Sequence, residues 1–201
     1  TTTVEKSSAV IYLVLDSSKS LTDANVASIK TAAKSFIDAL YLNYAGAENA
    51  DFYNSRGLGY FNQGQYDLAI ADFSKAIKLD PNYVWPYNNR GLVYINQGKN
   101  DLAIAEFNQA IKLDPNYAEA YNGRGWAYAN QWKNDLAIAD FSKAIKLDPN
   151  NAQAYSNRGV MYATRKNDYV RARADWEQAV KLNPNDTQSK ANLEVLRSQG
   201  Y

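Results

Sequence analysis

Arginine and carboxylate return together along this chain. Arg56, Arg90, Arg124 and Arg158 each precede a glycine, and Asp72, Glu106, Asp140 and Asp175 each precede an aromatic residue farther on. A guanidinium on a packing face requires a hydrogen-bonding anion. Four matching carboxylates therefore lead us to expect four Arg–carboxylate pairs, within or between neighbouring segments. Little else in the chain offers reactive chemistry. It has no histidine and no cysteine, which removes the commonest general base, the commonest transition-metal ligand and all thiolate chemistry. No glycine-rich phosphate loop occurs, and Asp and Glu are spread along the chain instead of converging in pairs. The expectation is a protein that is not an enzyme. Nucleic acid is not expected as a partner either: 22 basic and 21 acidic side chains leave a net charge of +1, with no long-range pull on a polyanion.

The elements that carry these residues repeat. Asp67-Leu68-Ala69-Ile70-Ala71 returns at 101–105 and 135–139, and Ala76-Ile77-Lys78-Leu79-Asp80-Pro81-Asn82 returns at 110–116 and 144–150, both with a period of 34 residues. A fourth copy ends Ala179-Val180-Lys181-Leu182-Asn183-Pro184-Asn185, displaced by 35. A fixed period of this size means a stacked-repeat architecture. We place the repeats at 50–83, 84–117, 118–151 and 152–186, and a boundary in the polar, glycine-containing segment 43–49. The chain then divides into an appendage, 1–45, and a repeat body, 46–201. Each repeat is expected to form two helices. In the second repeat, Tyr87, Gly91 and Tyr94 make one apolar stripe, and Ala103, Phe107, Ala110 and Ile111 make another. Gly98 supplies the positive φ that ends the first helix, and Pro115 prevents the second from continuing. Residues 187–198, with Leu193 and Leu196 among polar neighbours, are expected to form a capping helix over the last repeat.

This pattern resembles the tetratricopeptide repeat (TPR). The resemblance rests on a packing glycine (Gly57, Gly91, Gly125, Gly159) and a tyrosine three residues on (Tyr60, Tyr94, Tyr128, Tyr162). The second helix matches with an alanine (Ala69, Ala103, Ala137, Ala172), an aromatic (Phe73, Phe107, Phe141, Trp176) and a second alanine (Ala76, Ala110, Ala144, Ala179), before the proline (Pro81, Pro115, Pro149, Pro184). It implies an all-α fold: a right-handed solenoid of four helix pairs closed by the C-terminal helix. Its concave groove, lined by the first helices, would hold a protein or peptide ligand, either an extended peptide or a partner helix. Two turns depart from the pattern. Trp132 stands where Gly64 and Gly98 stand in the first two repeats, and the fourth repeat has Lys166 there with an extra residue near Asp168.

On the groove side each first helix shows one set of side chains. They are Asn54, Leu58, Phe61 and Asn62; Asn88, Leu92, Ile95 and Asn96; Asn122, Trp126, Ala129 and Asn130; and Ser156, Val160, Ala163 and Thr164. Asn89 and Asn157 sit at the edge of this row and Trp85 at its rim. An amide can pair with the backbone of a peptide of any sequence, and Trp126 and Phe61 would receive an apolar anchor. TPR grooves are often basic and clamp a terminal carboxylate; this row is uncharged, so no such clamp is expected.

The first fifty residues differ. Ala9-Val10-Ile11-Tyr12-Leu13-Val14-Leu15 is an apolar run rich in β-branched residues, which we take as a short buried β-strand. Asp16-Ser17-Ser18 is a poor signal-peptide cleavage site. Val26, Ile29, Ala33, Phe36, Ile37 and Leu40 then mark an amphipathic helix over 23–42. This order resembles the opening of a von Willebrand factor A domain, in which an Asp-x-Ser-x-Ser motif helps to hold magnesium. The resemblance implies Asp16, Ser18 and Ser20 as hard oxygen ligands, and an alternative role in metal-dependent adhesion or sensing with the repeats as a stalk. That family draws further ligands from later loops, which this chain lacks. Otherwise the three residues are turn and cap residues, and no cofactor is expected. A lone buried strand leaves its backbone groups unpaired, so residues 9–15 are expected to pair with the same segment of a second copy, giving a homodimer. No run is long enough for a membrane span. The chain starts Thr-Thr-Thr without Met, which suggests a missing upstream piece. Composition does not name the compartment, although the near-identical repeats and the Asn-Arg-Gly tripeptides resemble bacterial proteins, of the cytoplasm or periplasm.

Overall fold

The computed structural model describes residues 49–200. The expected strand at 9–15, the helix at 23–42 and the residues Asp16, Ser18 and Ser20 lie outside these. The described residues form nine helices and no strand. Four pairs follow one another: α1 (Ala50–Asn62) with α2 (Tyr66–Leu79), α3 (Val84–Asn96) with α4 (Asn100–Leu113), α5 (Ala118–Asn130) with α6 (Asn134–Leu147), and α7 (Ala152–Lys166) with α8 (Tyr169–Leu182). Helix α9 (Thr187–Ser198) covers α8 at the end.

Local chemistry sets the helix ends. Asn49 caps α1 by accepting the Phe52 N–H at 2.8 Å. Each second helix stops at Asp80, Asp114, Asp148 or Asn183. The side chain there accepts the N–H two residues on, while the intervening proline blocks another turn of helix. Gly64 and Gly98 end α1 and α3 at φ 71°. Trp132 takes the same left-handed conformation at φ 63°, and Asn167 does so at φ 50° after α7 has run on to absorb the extra residue. Trp132 stays 68% exposed, with the Arg165 guanidinium stacked 3.7 Å from its ring centroid. Both altered turns therefore keep the reversal by other means.

Within each pair the helices meet ring against backbone. Phe73, Phe107 and Phe141 are fully buried. A Cβ placed on Gly91 would lie 2.9 Å from two ring carbons of Phe107, so only glycine fits opposite that ring. Alanines from both stripes complete a core with no accessible surface at Ala69, Ala76, Ala103, Ala110, Ala137, Ala144, Ala172 and Ala179.

The four Arg–carboxylate pairs form, each within one repeat. Arg56, Arg124 and Arg158 use Nε and Nη2 to donate one bond to each oxygen of Asp72, Asp140 and Asp175, at 2.7–2.8 Å. The remaining nitrogen reaches back to the preceding repeat. Arg90 Nη1 donates to Ser74 Oγ, Arg124 Nη1 to Asn108 Oδ1 and Arg158 Nη1 to Ser142 Oγ. The second repeat is the exception in its carboxylate. Glu106 is one methylene longer, so Arg90 Nη2 takes both of its oxygens, at 2.7 and 2.9 Å, and Arg90 Nε is buried without a partner. A buried unpaired donor costs about 1–3 kcal/mol. Glu106→Asp should restore the two-nitrogen fork and raise the urea midpoint of unfolding by about 1 kcal/mol of stability. A midpoint that stays or falls would refute this account of the pair.

Candidate peptide-binding groove

Successive first helices touch one another, α1 with α3, α3 with α5 and α5 with α7, while no comparable contact joins successive second helices. The first helices therefore form the inner curve of the stack. The groove row lies along it at helical spacing.

The asparagines of that row are largely committed to each other. Asn89 donates from Nδ2 to Asn54 Oδ1 at 2.9 Å, and Asn157 donates to Asn122 Oδ1 at 3.0 Å, each bond spanning two repeats. Asn54 and Asn88 are only 4% and 5% exposed. Adjacent first helices pack closely enough that asparagines of the row and its edge bond across repeats. Nearer the helix ends, Asn96 donates to the Leu92 carbonyl and Asn130 to Asn100 Oδ1. Leu58 and Phe61 pack on the cluster around Phe73, and Leu92 on the cluster around Phe107. Trp85 stands exposed at the rim, its ring 5.5 Å from that of Tyr83.

One link of this ladder is missing. Gly123 occupies the place that Asn89 and Asn157 hold in their repeats. A Cβ there would lie 2.5 Å from the ring of Phe107. No amide reaches Asn88 from α5. Its Nδ2 makes only a 3.5 Å approach to Asn89 Oδ1, and its own Oδ1 is buried without a donor.

The inner face opens into a cleft of about 440 Å³ between α5, α7 and α9. Trp126, Ser156, Val160 and Thr164 line it from the inner row, with Asn157 at the edge of that row, Gln153 at the start of α7, Trp176 from α8, and Asp186, Gln188 and Asn192 from the α9 end. Trp126 is 38% exposed there. Trp176 donates its indole N–H to the Ser156 carbonyl at 3.2 Å. Ser156 Oγ lies 2.8 Å from Ser189 Oγ, a buried contact that seats α9 against α7. Sequence reasoning missed Gln153, Asp186, Gln188 and Asn192. Asp186 could be recognised as a helix cap, but its place beside Trp126 depends on how α9 docks. Burial opposes charge on Asp186, yet N–H groups of Ser189 and Gln188 and the hydroxyls of Ser189 and Ser156 outweigh it and hold the carboxyl below the usual aspartate range. Among the described residues no carboxylate cluster is placed to hold a metal ion, and no helix is long and apolar enough to cross a membrane.

A model of the TPR repeat matches residues 57–98, 93–131 and 133–164. The chain belongs to the tetratricopeptide-repeat family. Among solved structures, this TPR chain is similar to the first TPR of Spaghetti (RPAP3), determined with the HSP90 peptide SRMEEVD. The identity is 30% over 58% of this chain and 93% of that one, with a TM-score of 0.56. It is also similar to MamA, at 26% identity over 72% of this chain and 84% of that one, TM-score 0.61. Pseudomonas aeruginosa pilF, at 22% identity over 75% and 68% of the two chains and a TM-score of 0.70, shares the fold. No curated protein matches the chain.

The depressed Asp186 pKa fixes a pH dependence. Its contribution to stability is complete above the unfolded value, near 3.9, and is lost as pH falls through the lower native value. Asp186→Asn keeps a capping side chain but has no such titration. The stability gap between the two proteins in urea melts should therefore narrow from pH 7 to pH 3, and a gap that is constant over this range would contradict the assignment.

Proposed function

We propose that this chain is a protein-interaction scaffold that holds an extended peptide or a partner helix along its inner groove. The observation that carries the reading is the cleft beside Trp126. The ring-against-glycine aromatics are buried in the core, whereas Trp126 lies partly bare on the inner row beside an open cavity. Exposed tryptophan in a concave, amide-lined site is the residue type that anchors partners. The RPAP3 repeat, 30% identical and determined with a bound peptide, supports the same use of the fold.

The experiment places a photo-cross-linking residue at position 85, on the rim, and identifies the segment of the partner trapped in extracts of the source organism. Binding of that segment, as a synthetic peptide, is then measured by calorimetry. Trp126→Ala should weaken binding by about 2 kcal/mol or more, the range for a buried aromatic anchor. Leu102→Ser, on the exposed outer side of α4, should leave it unchanged. If Leu102→Ser weakens binding and Trp126→Ala does not, the partner uses the outer face and the groove reading fails.

A further inference from the structure

We infer that the groove selects a basic segment, with an arginine or lysine side chain seated in the cleft between Trp126 and Asp186. This rests on the groove reading above and adds the chemistry of the ligand.

The groove is short of positive charge. One turn ahead of the asparagine row, the first helices carry Asp51, Trp85, Glu119 and Gln153 at 34-residue spacing. With Asp186, these give the inner face three carboxylates. Among the described residues, no lysine or arginine occupies the inner row or lines the cleft. The cations on the first helices are engaged elsewhere. Arg56, Arg90, Arg124 and Arg158 hold their carboxylates on the second helices, Arg165 stacks on Trp132, and Lys166 pairs with Asp135 at 2.6 Å. On α9, Gln188 and Asn192 line the cleft one turn apart, which puts Lys190 about half-way round the helix from them.

The amides of the cleft supply acceptors as well as donors. Gln153 Nε2 donates to Asn157 Oδ1 at 3.0 Å and Gln188 Nε2 donates to Asn192 Oδ1 at 3.1 Å, which leaves each glutamine a carbonyl oxygen, beside its second N–H, to meet a ligand. Asn88 Oδ1, farther along the groove, has no donor. The site thus offers acceptors, a carboxylate held in its charged form and a partly exposed indole. A guanidinium or ammonium satisfies all three, through charge-assisted hydrogen bonds and a cation–π contact. A purely acidic segment would meet like charge here and find no cation to pair with.

The test titrates ¹⁵N-labelled protein with three probes: blocked Ac-Gly-Ser-Arg-Ser-Gly-NH2 and its leucine and glutamate counterparts. The readouts are the Trp126 indole N–H and the side-chain amides of Gln153 and Gln188. The arginine peptide should shift all three, saturably and less at high salt. Asp186→Asn, which retains the helix cap, should weaken it about tenfold, in line with loss of one charge partner. The same loss is expected in Trp126→Leu, with both variants checked for an unchanged unfolding profile at neutral pH. The glutamate peptide should produce no shift. Stronger shifts from the glutamate peptide would overturn the inference. So would a leucine peptide that binds as well as the arginine one and ignores Asp186→Asn, but that result would leave the groove reading standing. No shift from any probe would also overturn it, while the cross-linked partner would still decide the groove reading by itself.

Discussion

An aromatic ring packed against a glycine governs this molecule. Phe73, Phe107, Phe141 and Trp176 each lie so close to a glycine of the preceding helix that a Cβ there would overlap the ring. The contact fixes the distance and the rotation of the two helices in a pair. Much of the rest follows from one residue's displacement along each helix. The residue before the glycine is arginine and the residue before the ring is a carboxylate, so setting ring on glycine also sets guanidinium against carboxylate. The salt bridge is a consequence of the packing, and its hydrogen bonds then make that packing directional.

The same guanidinium also ties one repeat to the next. Its outer nitrogen reaches a hydroxyl or amide on the second helix of the preceding repeat. Arg56, in the first repeat, has no such serine before it among the described residues, and its side chain is 38% exposed against 17–19% for the other three. A stack of this kind gains stability from nearest-neighbour links, and here the link and the intra-repeat pair share one side chain. Replacing aspartate by glutamate at position 106 shows how tight the geometry is, since one methylene is enough to strand Arg90 Nε.

The packing ring also shapes the groove. Phe107 lies against both Gly91 and Gly123, and because of it no side chain fits at 123. The amide ladder that links the other inner helices therefore breaks between α3 and α5, leaving Asn88 with an unused acceptor. At the far end, α9 closes the last apolar face through Leu193 and Leu196 and supplies Asp186, Gln188 and Asn192 to the cleft. A helix expected only as a cap thus forms one wall of the site.

The sequence by itself determined the period, the helix pairs, the family and the four Arg–carboxylate partners, because each depends on residues a fixed number of positions apart on elements with known geometry. It also pointed to Trp126 on the inner face. The altered turns at Trp132 and Lys166 could be located in sequence, but not the left-handed residues, Trp132 and Asn167, that rescue them. Only the tertiary structure decided that the asparagines bond to one another, that Asn88 is left over, and that α9 docks its polar side beside Trp126. Those outcomes depend on the register and separation of neighbouring helices. Side-chain packing at the interface sets both to within an ångström, and a local hydrophobic pattern does not encode them.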